Sequence, residues 1–362
     1  MIFPMYIDGK WFEGEGRQMQ DVISPGSGEV LGRIPLGTPE DADAALQAAK
    51  KAAPALAAMT VFERAEICYR IANKIDENQE ELAKLLTAEH GKPYHSEALG
   101  EVAACALAFR DAAEQIKWMD GKVVALRDKD ARCLVTRRPK GIFAVITPWN
   151  FPLGTACQYY LAAGIAVGDP MVWNPATTTA AVASALMKCF EGVGLPAGAV
   201  NLVIGKGSVV GDALSAHPLT AGIGFTGSTV TGNIICERAK CKHTSMELGG
   251  DGPCIVLKDA DLDVAAQGLM NGSFLNAGQV CTSTERVLVD DAIADALVAK
   301  ILEKMQTQYQ LGDPFDEKTT MGPMHLESQI EIVESHIKQA VEKGAKVVAG
   351  GNGARACHGP VL

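Results

Sequence analysis

Short apolar runs alternate with helical patterns after residue 141, and this alternation is the feature that most constrains the fold. The runs hold four or five consecutive, mostly apolar residues and lie at 142–146, 170–173, 200–204 and 221–225. Helical patterns follow them at 156–167, 178–192, 208–217 and 228–239. A strand that is apolar along its whole length is buried on both faces, so the alternation predicts a parallel sheet with helices on each side. We therefore expect an α/β fold.

The same pattern restarts after Glu247, which indicates a second domain. Strands are predicted at 254–257, 286–289 and 346–348, and helices at 262–276, 292–310 and 328–344. A length of 362 residues also fits two domains of about 150 residues each. We place the boundary between residues 247 and 248, so that the predicted domains are 1–247 and 248–362.

Turns, helices and one hairpin are predicted upstream of the alternating region. Asp8-Gly9 is typical of a turn between short strands. An alanine-rich helix is expected over 41–59, Thr60 can cap the helix after it, and a further helix is expected over 95–118. Two alternating runs within 122–138 flank a short polar turn, and this arrangement predicts a β-hairpin.

The charge balance argues against a nucleic-acid partner. The chain has 43 acidic and 33 basic residues, which gives a net charge of −10 and a pI near 5.3. An acidic surface repels phosphate backbones. No apolar run approaches the roughly 18 residues that a bilayer span needs, and the first residues lack the basic region of a secretory signal. We therefore expect a cytoplasmic protein with no membrane segment.

Ten cysteines are spread along the chain without any C-x-x-C pair. Scattered thiols suit a reducing compartment better than a disulfide framework, and most of them are expected to be buried. Cys236, Cys241 and His243 come nearest to a metal cluster, but their spacing is loose and no metal site is predicted. Asp259–Asp263 resembles the start of a calcium loop, yet Val264 stands where that loop requires glycine. An acidic turn that caps the next helix is expected there instead.

Two glycine turns between strands and helices are candidate phosphate sites. Gly205, Gly207 and Gly211 follow one predicted strand, and Gly227 with Ser228 follows the next. Glycine lets backbone N–H groups approach a phosphate at a helix N-terminus, where the helix dipole favours negative charge. The first turn differs by one residue from the usual dinucleotide spacing, so a plain strand-to-helix turn explains it equally well. Two such turns in succession favour a nucleotide site.

Three side chains lie where chemistry could occur. Cys281 lies in the small-residue segment 276–282 between a helix and a strand, where a thiol can be exposed. Glu247 ends a predicted strand, and α/β proteins place ligand crevices at the carboxyl ends of strands. Asn150 is framed by two prolines, and its NH₂ group could donate to an oxyanion. Each residue also has a structural explanation: a buried cysteine, a solvated glutamate and a rigid turn.

Taken together, these motifs resemble the aldehyde dehydrogenase superfamily over almost the whole chain. The matching segments are Pro148–Pro152, Gly205–Gly207, Phe225–Thr229, Glu247–Gly250, Gly278–Cys281, Gly312–Pro314 and Gly322–Pro323. The resemblance implies a Rossmann-like cofactor domain and a second α/β catalytic domain. It also implies that the hairpin at 122–138 is an oligomerisation arm.

The resemblance assigns roles to the three candidate residues. Cys281 would attack an aldehyde to form a thiohemiacetal, and Asn150 would help to hold the oxyanion. Hydride transfer to NAD(P) would leave a thioester, which water activated by Glu247 would hydrolyse to a carboxylic acid. Two alternatives stay open: a CoA-acylating aldehyde dehydrogenase, and a catalytically weak relative that binds nucleotide or assembles with partners.

The dinucleotide site implied by the resemblance includes both glycine turns. Its residues would be Ile146, Thr147, Pro148, Trp149, Asn174, Thr177, Gly205, Gly207, Gly211, Phe225, Gly227, Ser228 and Leu248. The family usually has Lys-Pro-x-Glu where this chain has Asn174 to Thr177. Loss of the glutamate removes repulsion of a 2′-phosphate, and loss of the lysine removes attraction. The cofactor is therefore expected to be NAD or NADP, with NAD slightly favoured by the family's commonest usage.

The resemblance also bears on assembly and length. Tyr159 stands where many family members have a lysine. The full-length form is expected to be a homodimer or homotetramer. Family members continue well beyond a residue equivalent to Leu362, with a glutamate that binds the nicotinamide ribose and a final strand. The sequence is therefore expected to be truncated at its C-terminus.

Overall fold

The computed structural model describes residues 1–351. Its strands are β1 (Met5–Ile7), β2 (Lys10–Phe12), β3 (Gln18–Ile23), β4 (Val30–Leu36), β5 (Lys122–Val124), β6 (Cys133–Val135), β7 (Ile142–Thr147), β8 (Met171–Pro175), β9 (Val200–Leu202), β10 (Thr220–Gly227), β11 (His243–Leu248), β12 (Gly252–Val256) and β13 (Thr284–Val289). Its α-helices are α1 (Pro39–Ala58), α2 (Val61–Glu77), α3 (Gln79–His90), α4 (Leu99–Ile116), α5 (Gly154–Ala156), α6 (Ala162–Val167), α7 (Ala180–Met187), α8 (Asp212–Ala216), α9 (Thr229–Ala239), α10 (Leu262–Phe274), α11 (Ala294–Gln308) and α12 (Glu327–Glu342). Cys357 and the chain end on which the predicted truncation rests lie outside the described residues.

The chain divides into two compact units, each built from separate stretches of sequence. The first comprises Met1–Asp21, Gly32–Leu82 and Glu101–Glu247, and the second comprises Val22–Leu31, Ala83–Gly100 and the chain from Leu248 onward. Val22–Leu31 and Ala83–Gly100 therefore lie outside the first unit, although the predicted domain 1–247 includes them. Long-range bonds explain the difference: the backbone N–H of Tyr94, for example, donates to the Pro314 carbonyl oxygen at 2.8 Å. Local sequence patterns carry no trace of such a bond.

A seven-stranded sheet forms the centre of the first unit, in the order β11-β10-β7-β8-β9-β1-β2. Strands β7 to β10 pair in parallel, which confirms the predicted parallel sheet. Strands β8 and β9 follow β7 on one side, whereas β10 lies on the other side of β7. The chain order thus reverses between β7 and β10. Ligands of open α/β sheets bind outside the carboxyl ends of the strands at such a reversal.

The strands at the centre of this sheet are apolar because they are covered by helices. Ala144, Val145, Val172 and Trp173 are each at most 1% exposed. Helix α1 contacts β7, β8 and β9, and most of its buried residues are alanines. Small side chains let a helix approach a sheet closely, so the alanine-rich stretch near residue 45 fits this position.

Turn and cap geometry in the first unit confirms two local predictions. Asp8 and Gly9 have φ angles of 51° and 75°, as a two-residue hairpin turn between β1 and β2 requires. Thr60 caps α2: its hydroxyl accepts from the Glu63 N–H at 3.2 Å, while the Glu63 carboxylate accepts from the Thr60 N–H at 2.7 Å. These reciprocal bonds satisfy two donors that a helix N-terminus leaves without a partner.

The second unit has its own parallel strand pair and its own core. Strands β12 and β13 pair in parallel, and α10 contacts both α11 and β13. Their buried apolar residues form one cluster: Val256, Ala266, Leu269, Met270, Phe274, Leu297, Ile301, Met305 and Met321. Asp261 caps α10, as the acidic turn predicts. The predicted strand at 346–348 is wrong, because these residues have no ladder partner within residues 1–351.

The hairpin predicted at 122–138 is confirmed. Strands β5 and β6 pair antiparallel, with Val123 opposite Leu134. These two apolar side chains are 75% and 69% exposed in the single chain. The paired strands are shorter than the sequence pattern predicts, because only three residues of each form the ladder.

Residues 1–351 bear on the predictions about membrane segments, metal sites and buried cysteines. This part of the chain has no helix that is both long and apolar enough to cross a membrane. Nor does it contain a group of three His, Cys, Asp or Glu side chains that could hold a metal ion. Its cysteines are buried at 68, 105, 157 and 189, half-buried at 133 and 254, and exposed at 236, 241 and 281. The expectation that most thiols are buried therefore holds only in part.

Candidate active site

The carboxyl ends of β7 and β10 lie side by side at the switch point of the first unit's sheet. Phe225 of β10 is in register with Ile146 of β7, and Ile146 is in register with Asn174 of β8. Three strand ends that the sequence assigns to a dinucleotide site are therefore neighbours. The parallel register, rather than proximity in sequence, brings them together.

Asn174 connects the end of β8 to the first glycine turn. Its side chain is 1% exposed, and its amide nitrogen donates to the carbonyl oxygens of Val203 and Gly205 at 2.9 and 3.0 Å. A Cβ atom on Gly211 would lie 3.4 Å from the side-chain oxygen Oδ1 of Asn174 and 3.5 Å from Ile146 Cδ1. Asn174 thus fixes the turn, because both hydrogens of its amide point to backbone acceptors.

The residues that follow β7 and β8 are ordered by a buried hydrogen bond. The Trp173 indole N–H donates to the Thr147 hydroxyl at 2.8 Å, and both residues are buried. Pro148 and Trp149 continue from Thr147 and are half-buried. Thr177, also half-buried, begins the 3-10 turn Thr177–Thr179 that precedes α7.

The second glycine turn presents the start of helix α9. A Cβ atom on Gly227 would lie 2.5 Å from the Phe225 ring, so a larger residue there would require this buried ring to move. The Ser228 hydroxyl accepts from the Thr231 N–H at 3.2 Å and caps the helix. The backbone N–H groups of the first helical turn and the helix dipole favour an anion at this end.

These residues fit a dinucleotide. Space remains in front of Gly207, where a Cβ atom would have no neighbour within 4 Å. The buried Thr178 hydroxyl beside Thr177 has no hydrogen-bond partner in the described chain. A backbone that a phosphate can approach and an unused hydroxyl each suit a ligand rich in phosphate and ribose oxygens.

Glu101 binds the backbone at the C-terminal end of the loop that contains Asn150. Asn150 is half-buried in the turn after β7, and the chain then enters α5. The Glu101 carboxylate is buried and accepts from the N–H groups of Leu153 and Gly154 at 3.0 and 2.9 Å. Glu101 was not among the predicted site residues. The available signal was an acidic residue on a helix face that otherwise buries apolar side chains, such as Val102.

Glu247 lies on the edge strand β11, and its charge reaches a buried tyrosine. Glu247 itself is exposed. The Tyr160 hydroxyl shares a 2.8 Å hydrogen bond with the Thr226 hydroxyl. Burial raises the pKa of Tyr160 to about 12, and the negative charge of Glu247 contributes to the shift. Tyr159, the tyrosine noted from the sequence, is 49% exposed, whereas its neighbour Tyr160 is buried.

Cys281 lies in the second unit, in an exposed turn between α10 and β13. The prediction that this thiol lies outside regular structure and is accessible is therefore confirmed. A Cβ atom on Gly250 would lie 3.9 Å from the Cys281 carbonyl oxygen. Leu248, the first residue of this unit after Glu247, is half-buried at the end of β11.

Comparison with known proteins identifies the family. The model of the aldehyde dehydrogenase family matches residues 11–360. The NADP(+) succinate-semialdehyde dehydrogenase GabD of Escherichia coli is 39% identical over 349 residues, which are 95% of this chain and 71% of that protein. The lactaldehyde dehydrogenase of Methanocaldococcus jannaschii is 38% identical over 99% of this chain and 76% of that protein.

Solved structures agree with the sequence relatives. A crystal structure of an NADP-dependent enzyme of E. coli superposes with a TM-score of 0.96 at 37% identity, over 99% of this chain and 75% of that one. A 3,6-anhydro-L-galactose dehydrogenase solved in complex with NAP gives a TM-score of 0.93 at 33% identity, over 99% and 76%. The predicted α/β fold and the NAD(P) cofactor are confirmed. This chain belongs to the aldehyde dehydrogenase family, and it is an NAD(P)-dependent oxidoreductase that oxidises aldehydes to carboxylic acids.

Proposed function

We propose that Cys281 is the nucleophile of this oxidation, Glu247 the general base and Asn150 an oxyanion donor. The observation that carries the proposal is the position of the Asn150 turn, which leaves β7 directly at the switch point of the sheet. That position puts an amide donor next to the strand ends that suit a dinucleotide. The exposed turn of Cys281 supports the assignment, because a nucleophilic thiol must be accessible.

Each residue has one task in the proposed mechanism. The Cys281 sulfur adds to the aldehyde carbon, and the oxyanion accepts hydrogen bonds from the Asn150 NH₂ group and the Cys281 backbone N–H. A bound nicotinamide would supply the hydride acceptor, and loss of the hydride would leave the substrate as a thioester on Cys281. Glu247 takes a proton from the attacking water, and the thiol is released together with the carboxylic acid.

The residues proposed for the cofactor fall into three groups. Ile146, Thr147, Pro148, Trp149 and Leu248 would lie near the nicotinamide and its ribose, Asn174, Thr177, Gly205, Gly207 and Gly211 near the adenosine, and Phe225, Gly227 and Ser228 near the pyrophosphate. A pKa of about 12 keeps Tyr160 protonated at neutral pH, so it adds no charge beside Glu247. NAD is proposed over NADP on family usage alone, and the assay below measures both.

The substrate, assembly and location are also proposals. Several relatives act on small aldehydes with a carboxylate or hydroxyl group, namely succinate semialdehyde, glutarate semialdehyde and lactaldehyde. We propose a substrate of that size for this chain. The exposed apolar residues of the hairpin β5–β6, Val123 and Leu134, suit a second copy of the chain in a homodimer or homotetramer. The thiol content suits the cytoplasm.

A CoA-acylating dehydrogenase is the second candidate function. It would pass the acyl group from Cys281 to a thiol and would need no water-activating base. Retention of Glu247 favours hydrolysis instead. A catalytically weak nucleotide-binding relative is the third candidate, and it would show cofactor binding without turnover.

The deciding experiment follows NAD(P)H formation by absorbance with a panel of semialdehydes and hydroxyaldehydes, each cofactor, and added CoA. We expect reduction without CoA, and its complete loss in Cys281→Ala because the covalent step is removed. Cys236→Ala, which also removes an exposed thiol, is the matched control and should keep its activity. Reduction that depends on CoA would favour the acylating alternative. Equal activity of Cys281→Ala and the parent chain would refute the assigned nucleophile.

A further inference from the structure

Three consecutive residues before the proposed nucleophile have left-handed backbone. Asn276, Ala277 and Gly278 have φ angles of 52°, 55° and 77°. Glycine adopts this conformation readily, but for Asn and especially Ala it brings Cβ close to the next carbonyl oxygen and is unfavourable. Such backbone persists only where the surroundings hold it in place. The question is therefore which groups hold this segment.

Hydrogen bonds fix both sides of Asn276. Its backbone N–H donates to Glu97 Oε1 at 2.9 Å. Its carbonyl oxygen accepts from the backbone N–H of Gln279 at 3.1 Å and from the Gln279 side-chain amide at 2.9 Å. Asn276 is 2% exposed, so water does not readily replace these partners. The side-chain oxygen of Gln279 in turn accepts from the backbone N–H of His325 at 3.0 Å.

Glu97 approaches the segment from elsewhere in the same unit. It lies in the π-helical turn Tyr94–Ala98, 179 residues before Asn276. Its charge acts on Tyr309: burial is the larger cause of the raised pKa of Tyr309, and the negative charge of Glu97 is the smaller one. A carboxylate that accepts a backbone N–H in such a place makes a stronger bond than a neutral acceptor does. Glu97 thus supplies a long-range side-chain acceptor at the start of the left-handed segment.

We propose that Glu97 is a positioning residue for Cys281. By accepting a hydrogen bond from the Asn276 N–H, Glu97 stabilises the left-handed segment. The conformation of that segment determines the position of the Cys281 sulfur, five residues later in the chain. The proposal rests on the assignment of Cys281 as the nucleophile. A displacement of about 1 Å at a reacting atom can lower a rate by about 100-fold. Loss of the anchor should therefore lower turnover without removing any group that touches the aldehyde.

Two substitutions separate anchoring from charge. Glu97→Ala removes the acceptor, whereas Glu97→Gln keeps a side-chain oxygen at the same reach. We expect Glu97→Ala to lower kcat by about 10- to 100-fold while KM for the aldehyde changes less than threefold, and Glu97→Gln to restore kcat to within about threefold. Hydrogen exchange at the Asn276 amide should be faster in Glu97→Ala and unchanged in Glu97→Gln.

A second readout needs no turnover. Iodoacetamide labelling followed by peptide mass spectrometry compares Cys281 with Cys236 and Cys241, which are also exposed and serve as internal references. We expect the labelling rate of Cys281 relative to these two to fall at least threefold in Glu97→Ala, because a relaxed segment no longer holds the thiol outward. Glu101→Ala is the matched control: it removes another buried acceptor of backbone N–H groups and should leave the Cys281 labelling rate unchanged.

Several outcomes would overturn the proposal. Glu97→Ala could keep kcat, Asn276 protection and Cys281 labelling at parent values, or Glu97→Gln could be as impaired as Glu97→Ala. If Glu97→Ala does not fold, Glu97→Asp, whose shorter side chain does not reach the Asn276 N–H, replaces it with the same expected results. A parent chain without dehydrogenase activity, but with the expected labelling and exchange pattern, would reject the proposed function and leave the anchoring of Cys281 intact.

Discussion

The Asn150 loop of the first unit and the Cys281 loop of the second are held by different physical means. Two prolines fix φ on either side of Asn150, and the loop leads into a helical start whose N–H groups bind Glu101. The Cys281 loop has no proline between residues 275 and 283. It contains left-handed residues instead, held by two side chains: Glu97 accepts from the Asn276 N–H, and the Gln279 side-chain amide donates to the Asn276 carbonyl oxygen.

This difference shows two ways to make a rigid loop. Proline acts through the covalent chain and also restricts the unfolded state, so its effect is local. Hydrogen bonds to an unfavourable backbone act only while the surrounding fold is intact. We therefore expect the Asn150 loop to keep its conformation when the rest of the first unit is changed. The Cys281 loop should lose its conformation when the rest of the second unit is changed.

Among the tests that compare the two loops, the largest effect is expected from Asn150→Ala. Removing one oxyanion donor typically lowers kcat by about 10²–10³-fold, equivalent to about 3–4 kcal/mol. Because the substitution lies in the other loop, the labelling rate of Cys281 should not change. Steady-state kinetics and thiol labelling on the same preparation test both statements. A large change in Cys281 labelling would show that the two loops are not independent, and parent-like kcat would remove Asn150 from the mechanism.

The second-largest expected effect is a loss of stability at acid pH, and the second unit should lose stability before the first. The rings of His325 and His90 stack within the second unit with their centroids 4.8 Å apart, and both residues are buried. Burial lowers the pKa of His325 from 6.5 to about 4, and Lys92 adds to the shift. In the unfolded chain His325 therefore binds a proton below about pH 6.5, whereas in the folded chain it binds one only below about pH 4. The stability that this contributes is present above pH 6.5 and is lost as pH falls towards 4, by about 3 kcal/mol for one such group.

Hydrogen exchange at pH 7 and pH 5 checks this expectation segment by segment. Protection in the second unit, including the Asn276 amide, should fall more than protection in the first. All four tryptophans, at 11, 118, 149 and 173, belong to the first unit, so their fluorescence reports on that unit alone. His325→Gln should reduce the acid effect, whereas His336→Gln, at an exposed position, should not. Equal losses in both units would contradict the proposed difference.

The contrast between the loops also explains what the sequence could predict. Continuous apolar runs and glycine turns carry local signals, and so do the prolines around Asn150. The sheet, the strand ends at Ile146 and Phe225 and the cap at Thr60 were accessible for that reason. The resemblance added the roles of Cys281 and Glu247, which spacing alone left open.

The supports of the site lacked such signals. Glu97 and Glu101 act through backbone N–H groups that are distant in sequence, and a glutamate in a helical pattern is most often a solvated residue. Asn174 was predicted only as a cofactor contact, and spacing gave no sign that its amide also donates to the backbone of the glycine turn. The allocation of Ala83–Gly100 to the second unit depends on long-range contacts of the same kind. Local patterns predict elements, but the partners of those elements depend on the assembled fold.

The smallest effect is expected from Ala277→Gly, and its size shows whether residue 277 is strained. Glycine relieves the left-handed strain of the native state by about 1 kcal/mol, but it also adds about 0.4–1 kcal/mol of unfolded-state entropy. The two terms nearly cancel, so the free energy of unfolding should change by less than about 0.5 kcal/mol. Ala103→Gly makes the same chemical change at an exposed position of helix α4 and should destabilise by about 1 kcal/mol. Urea denaturation of the two variants measures the difference. If Ala277→Gly destabilises as much as Ala103→Gly, residue 277 is not strained, and the difference between the loops reduces to their prolines.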